Sequence, residues 1–479
     1  MKKTLTLFAA ILLVASVAKA QTMNVTTGQV TYVYPAEVTG EMTFANGSTL
    51  TIGQKTYDLG SLSTITVDDS ETLTNQVLIN YQNGNALVKA DGNIAHLLTI
   101  SVNGGHVSIA QSADVEEEIT YTLSGSSTDG ELLLTGDFKT TVELSNLTLN
   151  NPSGAAITVD NGKRIKVKVE GTNTLTDGAN GSQNACFYID GHAEFSGNGT
   201  LNISGNTKHA LSIDEYMETK KTTINVLSAV SDGLHLSQYF LMESGTINVN
   251  STGDAIDLGA KKKTSDFNGQ VFINGGTLNL TATGTASKGL KADSLVTITD
   301  GNITITTTGA AVYDATEADI SSAAALKTTG ALTISGGTIN LTSTGAGGKG
   351  INVDEDFNMT GGKLYVTTTG AVYAYGGDDT KPQGVKSDGN IRLSGGEAYV
   401  CASEDSGTPF KTDFNFTVTG ATVMGVGGKK CEPTSTAQTY LNYKDVNVKG
   451  GQTLSYNGVT YTVPTIYNNS SAKILVSKP

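Results

Sequence analysis

The sequence predicts an all-β protein: a right-handed single-stranded parallel β-helix (solenoid) with a small N-terminal β module and a C-terminal β cap. Three observations predict this fold: the composition, a recurring three-strand unit, and an apolar column that runs through the copies of that unit. The chain has 56 glycines, 7 prolines and no tryptophan, and it is rich in threonine and asparagine. Such a composition is typical of a turn-rich β protein.

The recurring unit consists of three short segments in a constant order. Each segment alternates apolar and polar residues, and glycine or aspartate separates one segment from the next. Four copies show the unit most clearly, and they begin at Leu290, Leu326, Ile351 and Val385. Paired glycines after the second segment, as at Gly336-Gly337, suit corners at which φ must be positive. The unit is shorter than a propeller blade, so we expect a solenoid.

Strands this short cannot bury a face alone, but stacked copies would join their apolar residues into continuous ladders. The first residue of each copy is apolar without exception, and this supports stacking. The predicted inward column is Ile157, Phe187, Leu211, Leu234, Ile256, Leu290, Leu326, Ile351, Val385 and Phe410.

The irregular parts of the chain predict its boundaries. We expect a signal peptide over 1–20, a β module over 21–115, the β-helix domain over 116–435 and a cap over 436–479. Three longer connections, at 261–269, 309–325 and 370–384, are expected at one corner after the third strand. Solenoids often carry such loops on a binding face.

The N-terminal segment predicts where the protein is located, and the net charge excludes one class of partner. A basic start, an apolar run too short to span a bilayer and small residues at Ala18 and Ala20 predict cleavage after Ala20 and a secreted, periplasmic or cell-surface protein without a membrane span. The net charge of −14 disfavours nucleic acid, which needs a basic surface. Three cysteines are too few for a disulfide framework, although a Cys401–Cys431 bridge remains open. We expect a monomer.

The residue after each member of the inward column should face outward, and these residues predict a cationic stripe. Lys291, Lys327, Lys386 and Lys411 occupy this position in four copies, and Lys288 and Lys349 lie at the turn before it. Neighbouring strands are about 4.8 Å apart, so the ammonium groups would lie in a row that could attract a polyanion. An alternative is that these lysines only keep a sheet face soluble. Inserted loops with exposed Tyr373, Tyr375 and Tyr399 could extend the surface.

Aspartates predict a cation site beside this stripe. Asp232 and Asp254 should stack one repeat apart, Asp257 lies on the adjacent strand, and Asp293 could join from the next repeat. Carboxylates in such a group suit calcium, which takes six to eight oxygen ligands. The alternative is ordinary Asx-turn chemistry. The five histidines show no metal-ligand spacing, so we expect no zinc site and a structural role for His209 and His235.

Several turn motifs resemble the secreted bacterial carbohydrate-binding β-helix family. They are Asp232-Gly-Leu-His, Lys288-Gly-Leu-Lys-Ala-Asp, Lys349-Gly-Ile-Asn-Val-Asp and the Ser-Gly-Gly-Thr-Ile-Asn-Leu run over 335–341. The resemblance covers roughly 120–430 and implies polysaccharide binding, calcium between coils and a polysaccharide-lyase-like shape. Family members often carry doubled aspartates in these turns, whereas Asp232 and Asp254 stand singly here.

The leading hypothesis is therefore a non-catalytic binder of an acidic, polyuronate-like polysaccharide. No catalytic residue is assigned, because the sequence shows no nucleophile–base motif. A calcium-dependent lyase that uses Lys288 or Lys291 as its base is the first alternative. A surface adhesin or structural solenoid without a sugar ligand is the second.

Overall fold

The computed structural model describes residues 21–36, 42–261 and 267–479. The predicted signal peptide lies outside these residues. The described chain is all-β, with one short 3₁₀ helix at Gly92–Leu97 and a long sheet in which parallel pairs dominate. It contains no helix with the length and apolar character that a membrane crossing requires.

Most strands belong to three parallel ladders, in which a strand of one repeat pairs with the equivalent strand of the next repeat. Four long strands bend from one ladder into another: Ile119–Ser127, Thr140–Asn151, Ile157–Glu170 and Ala185–Ser196. Before and after these strands, the first ladder comprises Gly105–Gln111, Gly130–Thr135, His209–Ile213, Leu234–Ser237, Ile256–Gly259, Lys288–Ala292, Ala324–Thr328, Lys349–Val353, Val385–Ser387 and Phe410–Lys411.

The second and third ladders follow the same order along the chain. The second comprises Gln76–Gln82, Met217–Thr219, Tyr239–Met242, Gln270–Ile273, Val296–Ile298, Leu332–Ile334, Phe357–Met359, Ile391–Leu393, Phe416–Val418 and Ser435–Thr436. The third comprises Thr172–Asp177, Thr200–Gly205, Thr223–Ala229, Thr246–Ser251, Thr277–Ala282, Asn302–Thr307, Thr338–Ser343, Lys363–Thr368, Glu397–Cys401 and Thr422–Gly427.

The predicted inward column is confirmed. Each member pairs in register with the next, from Ile157 opposite Phe187 to Val385 opposite Phe410. All ten are buried, and they pack with apolar residues of the other two ladders in one cluster. The apolar alternation therefore builds a continuous core along the repeats.

The glycine corners are also confirmed. Gly337, Gly362 and Gly396 have φ of +78°, +77° and +81°. Each also lies against the backbone of the preceding repeat, so a Cβ at Gly337 would stand 2.7 Å from the carbonyl oxygen of Gly301. A side chain would be strained there and would separate the stacked repeats.

The parallel pairing begins before the predicted boundary at 115. The strand Gln76–Gln82 pairs in parallel with Ile119–Ser127, and Gly105–Gln111 pairs in parallel with Gly130–Thr135. The remaining N-terminal strands each make an antiparallel pair: Thr22–Thr27, Val30–Pro35, Met42–Ala45, Thr49–Ile52, Lys55–Asp58, Leu62–Asp68, Asn85–Asp91 and Leu98–Asn103. Val30–Pro35 also pairs in parallel with Asn85–Asp91.

The far end of the parallel array meets an antiparallel strand. Asn469–Ser477 pairs antiparallel with both Thr422–Gly427 and Tyr440–Val448. Thr453–Tyr456 and Val459–Thr462 form a hairpin beside it. Cys186, Cys401 and Cys431 are buried and free, so the Cys401–Cys431 bridge is not formed.

Two of the three insertions are where the sequence predicts them. Both follow a third-ladder strand and form antiparallel hairpins: one from Val312–Asp314 and Asp319–Ser321, the other from Tyr373–Tyr375 and Asp378–Thr380. The prediction for 261–269 is wrong. That connection follows the first-ladder strand Ile256–Gly259 and leads to the second-ladder strand Gln270–Ile273, and its residues 262–266 lie outside the described chain.

Candidate functional site

The two hairpins stand beside the first ladder and form the wall of an open groove of about 910 Å³. The floor is the outward surface of four successive first-ladder strands. The lysines that line the groove are Lys288, Lys291, Lys327, Lys349 and Lys386, and the aspartates that line it are Asp319, Asp354, Asp378, Asp379 and Asp388. The groove therefore offers both cations and hydrogen-bond acceptors to a ligand.

The predicted outward column is confirmed in the pairing of the strands. Asp257 lies opposite Lys291, Lys291 opposite Lys327, and Lys386 opposite Lys411. Asn352 separates Lys327 from Lys386. Lys411 continues the column but is not among the residues that line the groove.

Most lysines of the column are already paired with a carboxylate. Lys291 Nζ lies 2.8 Å from Asp257 Oδ1, and Lys386 Nζ lies 2.7 Å from Asp388 Oδ1. Lys327 pairs with Asp354, and Lys411 pairs with Asp413. The stripe is thus a row of ion pairs, and these exposed or half-exposed pairs contribute little to stability.

Lys288 and Lys349 differ from the others. Among the described residues, neither has a carboxylate oxygen within ion-pair distance of its ammonium group. Lys288 Nζ donates to Ser321 Oγ at 3.3 Å, while Lys349 Nζ donates to Ser322 Oγ at 2.6 Å and to Thr380 Oγ1 at 2.7 Å. These hydroxyls belong to the two hairpins, so the lysines tie the groove wall to its floor.

Burial changes the acid–base properties of both lysines. Lys349 is only 5% exposed. Burial, reinforced by the nearby charges of Lys386 and Lys327, lowers its pKa to about 7. Burial also lowers the pKa of Lys288. For Lys291, burial acts in the same direction, but the charge and hydrogen bond of Asp257 together with the charges of Asp293 and Asp254 outweigh it and raise the pKa.

Tyrosines occupy the hairpin that contains Tyr373 and Tyr375. The ring of Tyr375 is 51% exposed and stacks on Tyr313 of the other hairpin at 4.3 Å between centroids. The hydroxyl of Tyr373 accepts a hydrogen bond from the backbone N–H of Tyr313 at 3.3 Å. The expectation for Tyr399 is wrong, because this ring is buried at 7% exposure and stacks on Tyr365 and Tyr461.

Among the predicted calcium ligands, Asp232, Asp254 and Asp257 lie one or two repeats before the groove, whereas Asp293 directly follows its first strand, Lys288–Ala292. Each has a partner within the chain. Asp232 Oδ1 accepts from Asp254 N at 2.9 Å, and Asp254 Oδ1 accepts from Lys288 N at 2.7 Å. Asp293 Oδ2 accepts from Ala260 N at 3.1 Å. Burial raises the pKa of Asp254 to about 6. Calcium binding by these residues stays a prediction.

Two histidines join this acidic group. Asp232 Oδ2 lies 3.2 Å from His209 Nδ1 and 3.1 Å from His235 Nδ1, and the latter lies 3.3 Å from Asp257 Oδ2. Burial would raise the pKa of Asp232, but the two histidines keep it below its ordinary value. In return, hydrogen bonds to Asp232 and Asp257 raise the pKa of His235 to about 9.

Comparison with known proteins identifies the family to which the chain belongs. A family model described as "carbohydrate-binding domain-containing protein" matches residues 111–371 and 330–431. The chain belongs to this carbohydrate-binding domain family. The matched residues contain the groove, its hairpins and the histidine–aspartate group.

One solved structure is similar to part of the chain: the polysaccharide lyase-like protein from C. thermocellum, solved as a gadolinium derivative. The two share 20% sequence identity with a TM-score of 0.43, over 54% of this chain and 96% of that chain. No curated protein sequence matches the chain.

Sequence reasoning missed Tyr313 and the position of His209 in this member of the carbohydrate-binding domain family. His209 occupies the turn position of its repeat that Asp232 occupies in the next, since Leu211 pairs with Leu234. Aligning this turn column beside the outward column would have placed His209, Asp232 and His235 together. Spacing along the chain could not show it, because the two histidines are separated by a whole repeat.

Proposed function

We propose that this chain is an exported carbohydrate-binding protein whose ladders close into a right-handed parallel β-helix and whose groove binds an acidic polysaccharide. Membership in the carbohydrate-binding domain family supports a carbohydrate ligand. The regular parallel pairing of three strands per repeat supports the closed helix.

The observation that carries the acidic ligand is a pair of lysines that, within the described part of the chain, have no carboxylate oxygen at ion-pair distance. Lys288 and Lys349 present their ammonium groups to hydroxyls of the hairpins, so a uronate carboxylate would supply the missing counter-charge. Groove aspartates such as Asp379 would accept hydrogen bonds from sugar hydroxyls. Charge-assisted hydrogen bonds of this kind are stronger than neutral ones.

Binding to polygalacturonate and to cellulose, each measured at low and high salt, tests the proposal. We expect binding to the acidic polymer that weakens with salt, because exposed ionic contacts are screened. Replacing both Lys288 and Lys349 by Met should lower the affinity about tenfold or more. Lys411→Met is the control, since Lys411 is a first-ladder lysine that does not line the groove. Salt-insensitive binding to cellulose would show that the ligand is neutral.

Lyase activity is the second candidate function, and the lowered pKa of Lys349 favours it. A base that abstracts the proton α to a uronate carboxylate works best with a pKa near neutrality. By the same criterion Lys291 is a poor base, since its pKa is raised. Unsaturated products would absorb in the ultraviolet, and their release by the wild-type chain but not by Lys349→Met would replace the binder proposal by the enzyme proposal.

The proposal also includes a calcium ion between repeats, with Asp232, Asp254, Asp257 and Asp293 as its ligands. It would stabilise the folded chain because the unfolded chain lacks the site. A rise in Tm with Ca²⁺ that Asp293→Asn reduces would support it. An unchanged Tm in millimolar Ca²⁺ would remove calcium from the proposal.

A further inference from the structure

His209, Asp232 and His235 form the one group in the described chain whose potential metal-binding atoms all lie within 4.8 Å of one another. They come from the first-ladder strand at 209–213 and from the turn and strand of the following repeat. The two imidazole rings stack at 4.3 Å with an interplanar angle of 18°. Stacking in parallel brings both Nδ1 atoms to the same edge, where Asp232 Oδ2 meets them.

The distances match a tetrahedral metal site. Zinc binds histidine nitrogen and carboxylate oxygen at about 2.0–2.1 Å, so neighbouring ligand atoms around it lie roughly 3.3 Å apart. Asp232 Oδ2 lies 3.2 and 3.1 Å from the two Nδ1 atoms. Asp257 Oδ2 lies 3.3 Å from His235 Nδ1, but it is not among the atoms that all lie within 4.8 Å of one another, so the fourth position is left to water.

Neighbouring groups hold these ligands in place. The other oxygen of Asp232 accepts from Asp254 N at 2.9 Å, so this carboxylate keeps Oδ2 for the group. His209 is 3% exposed, which fixes its ring. Outer hydrogen bonds that orient metal ligands are characteristic of metal sites in proteins.

We propose that His209, Asp232 and His235, with water as the fourth ligand, bind a divalent transition-metal ion of the zinc class that links two successive repeats. Two nitrogen ligands suit Zn²⁺, Co²⁺, Ni²⁺ or Cu²⁺, whereas calcium takes oxygen ligands in larger number. The site is separate from the lysine groove and does not depend on the identity of the glycan. It shares Asp232 with the proposed calcium site, so the two ions would compete there.

Titration of the chelator-treated full chain, purified without a histidine tag, tests the site. We expect about one Zn²⁺ per chain by calorimetry, a higher Tm with Zn²⁺ than with Ca²⁺ or Mg²⁺, and visible absorption of bound Co²⁺ that reports four-coordinate geometry. His235→Asn should weaken Zn²⁺ binding about tenfold or more. This ring is partly exposed, so the substitution should leave the fold intact.

His106→Asn is the matched control, because His106 also contacts two carboxylates, Asp129 and Glu131, but lacks a second histidine. It should bind Zn²⁺ as the wild-type chain does. Two outcomes would overturn the proposal and leave the group as a network of ion pairs only: no Zn²⁺ binding below millimolar concentration, or equal binding by wild type and His235→Asn. His209→Asn adds a second test through its Co²⁺ spectrum.

Discussion

The ammonium group of Lys349 donates a 2.6 Å hydrogen bond to the hydroxyl of Ser322, at the base of the first hairpin. Lys349 Nζ also donates a hydrogen bond to Thr380 of the second hairpin. Together the two contacts connect the wall of the groove to its floor. The wall and floor meet at a buried cation whose protonation depends on pH near neutrality. Two predictions concern this group.

Glycan binding should depend on the charge of Lys349. Its pKa of about 7 means that it is protonated below neutrality and attracts a uronate, whereas above neutrality this attraction is lost. Polygalacturonate affinity should therefore fall between pH 6 and pH 8. The charges of Lys386, Lys327, Asp388 and Asp319 act on the same group. The pH dependence should be absent in Lys349→Met, and its persistence there would assign it to another group.

The free energy of unfolding should also depend on pH through the protonation of Lys349. Unfolding restores the ordinary pKa of Lys349, near 10.5, so between about pH 7 and 10.5 the unfolded chain binds one more proton. The contribution of Lys349 to the unfolding free energy therefore rises with pH across this window. Lys349→Met should be more stable than wild type at pH 6, and urea titrations should show the difference shrinking towards pH 10. A constant difference would contradict the buried cation.

Much of the fold follows from the sequence because side chains alternate strictly along a strand and repeats stack in register. The column from Ile157 to Phe410 was predicted member by member, and the outward column beside it was predicted as well. The domain boundaries at 115 and 435 stay predictions. The insertion at 261–269 was misplaced because its length, unlike strand alternation, gives no sign of the corner at which it leaves the sheet.

The site was harder to predict, because it depends on contacts between columns. Asp354, Asp388 and Asp413 follow the first-ladder strands, and their carboxylates neutralise lysines of the outward column. For the proposed ligand binding, Lys288 and Lys349 are more important than the four lysines of the outward column, because burial and the hairpins determine their environment. Neither effect is visible in the order of residues.

The stacked tyrosines should contribute to glycan binding. Tyr375 stacks on Tyr313 and leaves part of its ring open to solvent beside the groove. Tyr375→Ala should therefore weaken polysaccharide binding by several-fold, in line with about 0.5–1.5 kcal/mol for an aromatic contact, without a change in Tm. Phe414→Ala, an exposed aromatic outside the groove, is the control in the same calorimetric titration. Equal affinities of the two variants would exclude Tyr375 from the ligand surface.

The last prediction concerns the closed β-helix and is based on the inward column. Leu326 is buried between Leu290 and Ile351 on the adjacent strands, and Leu326→Ala should cost about 2–5 kcal/mol of unfolding free energy. Thr333→Ala, in an outward position of the same repeat, should cost less than about 1 kcal/mol. In a closed solenoid each repeat depends on its neighbours, so one cavity should lower the stability of adjacent repeats as well. Hydrogen exchange should then show faster amide exchange in the strands at 288–292 and 349–353, whereas an effect confined to 324–328 would contradict the coupled stack.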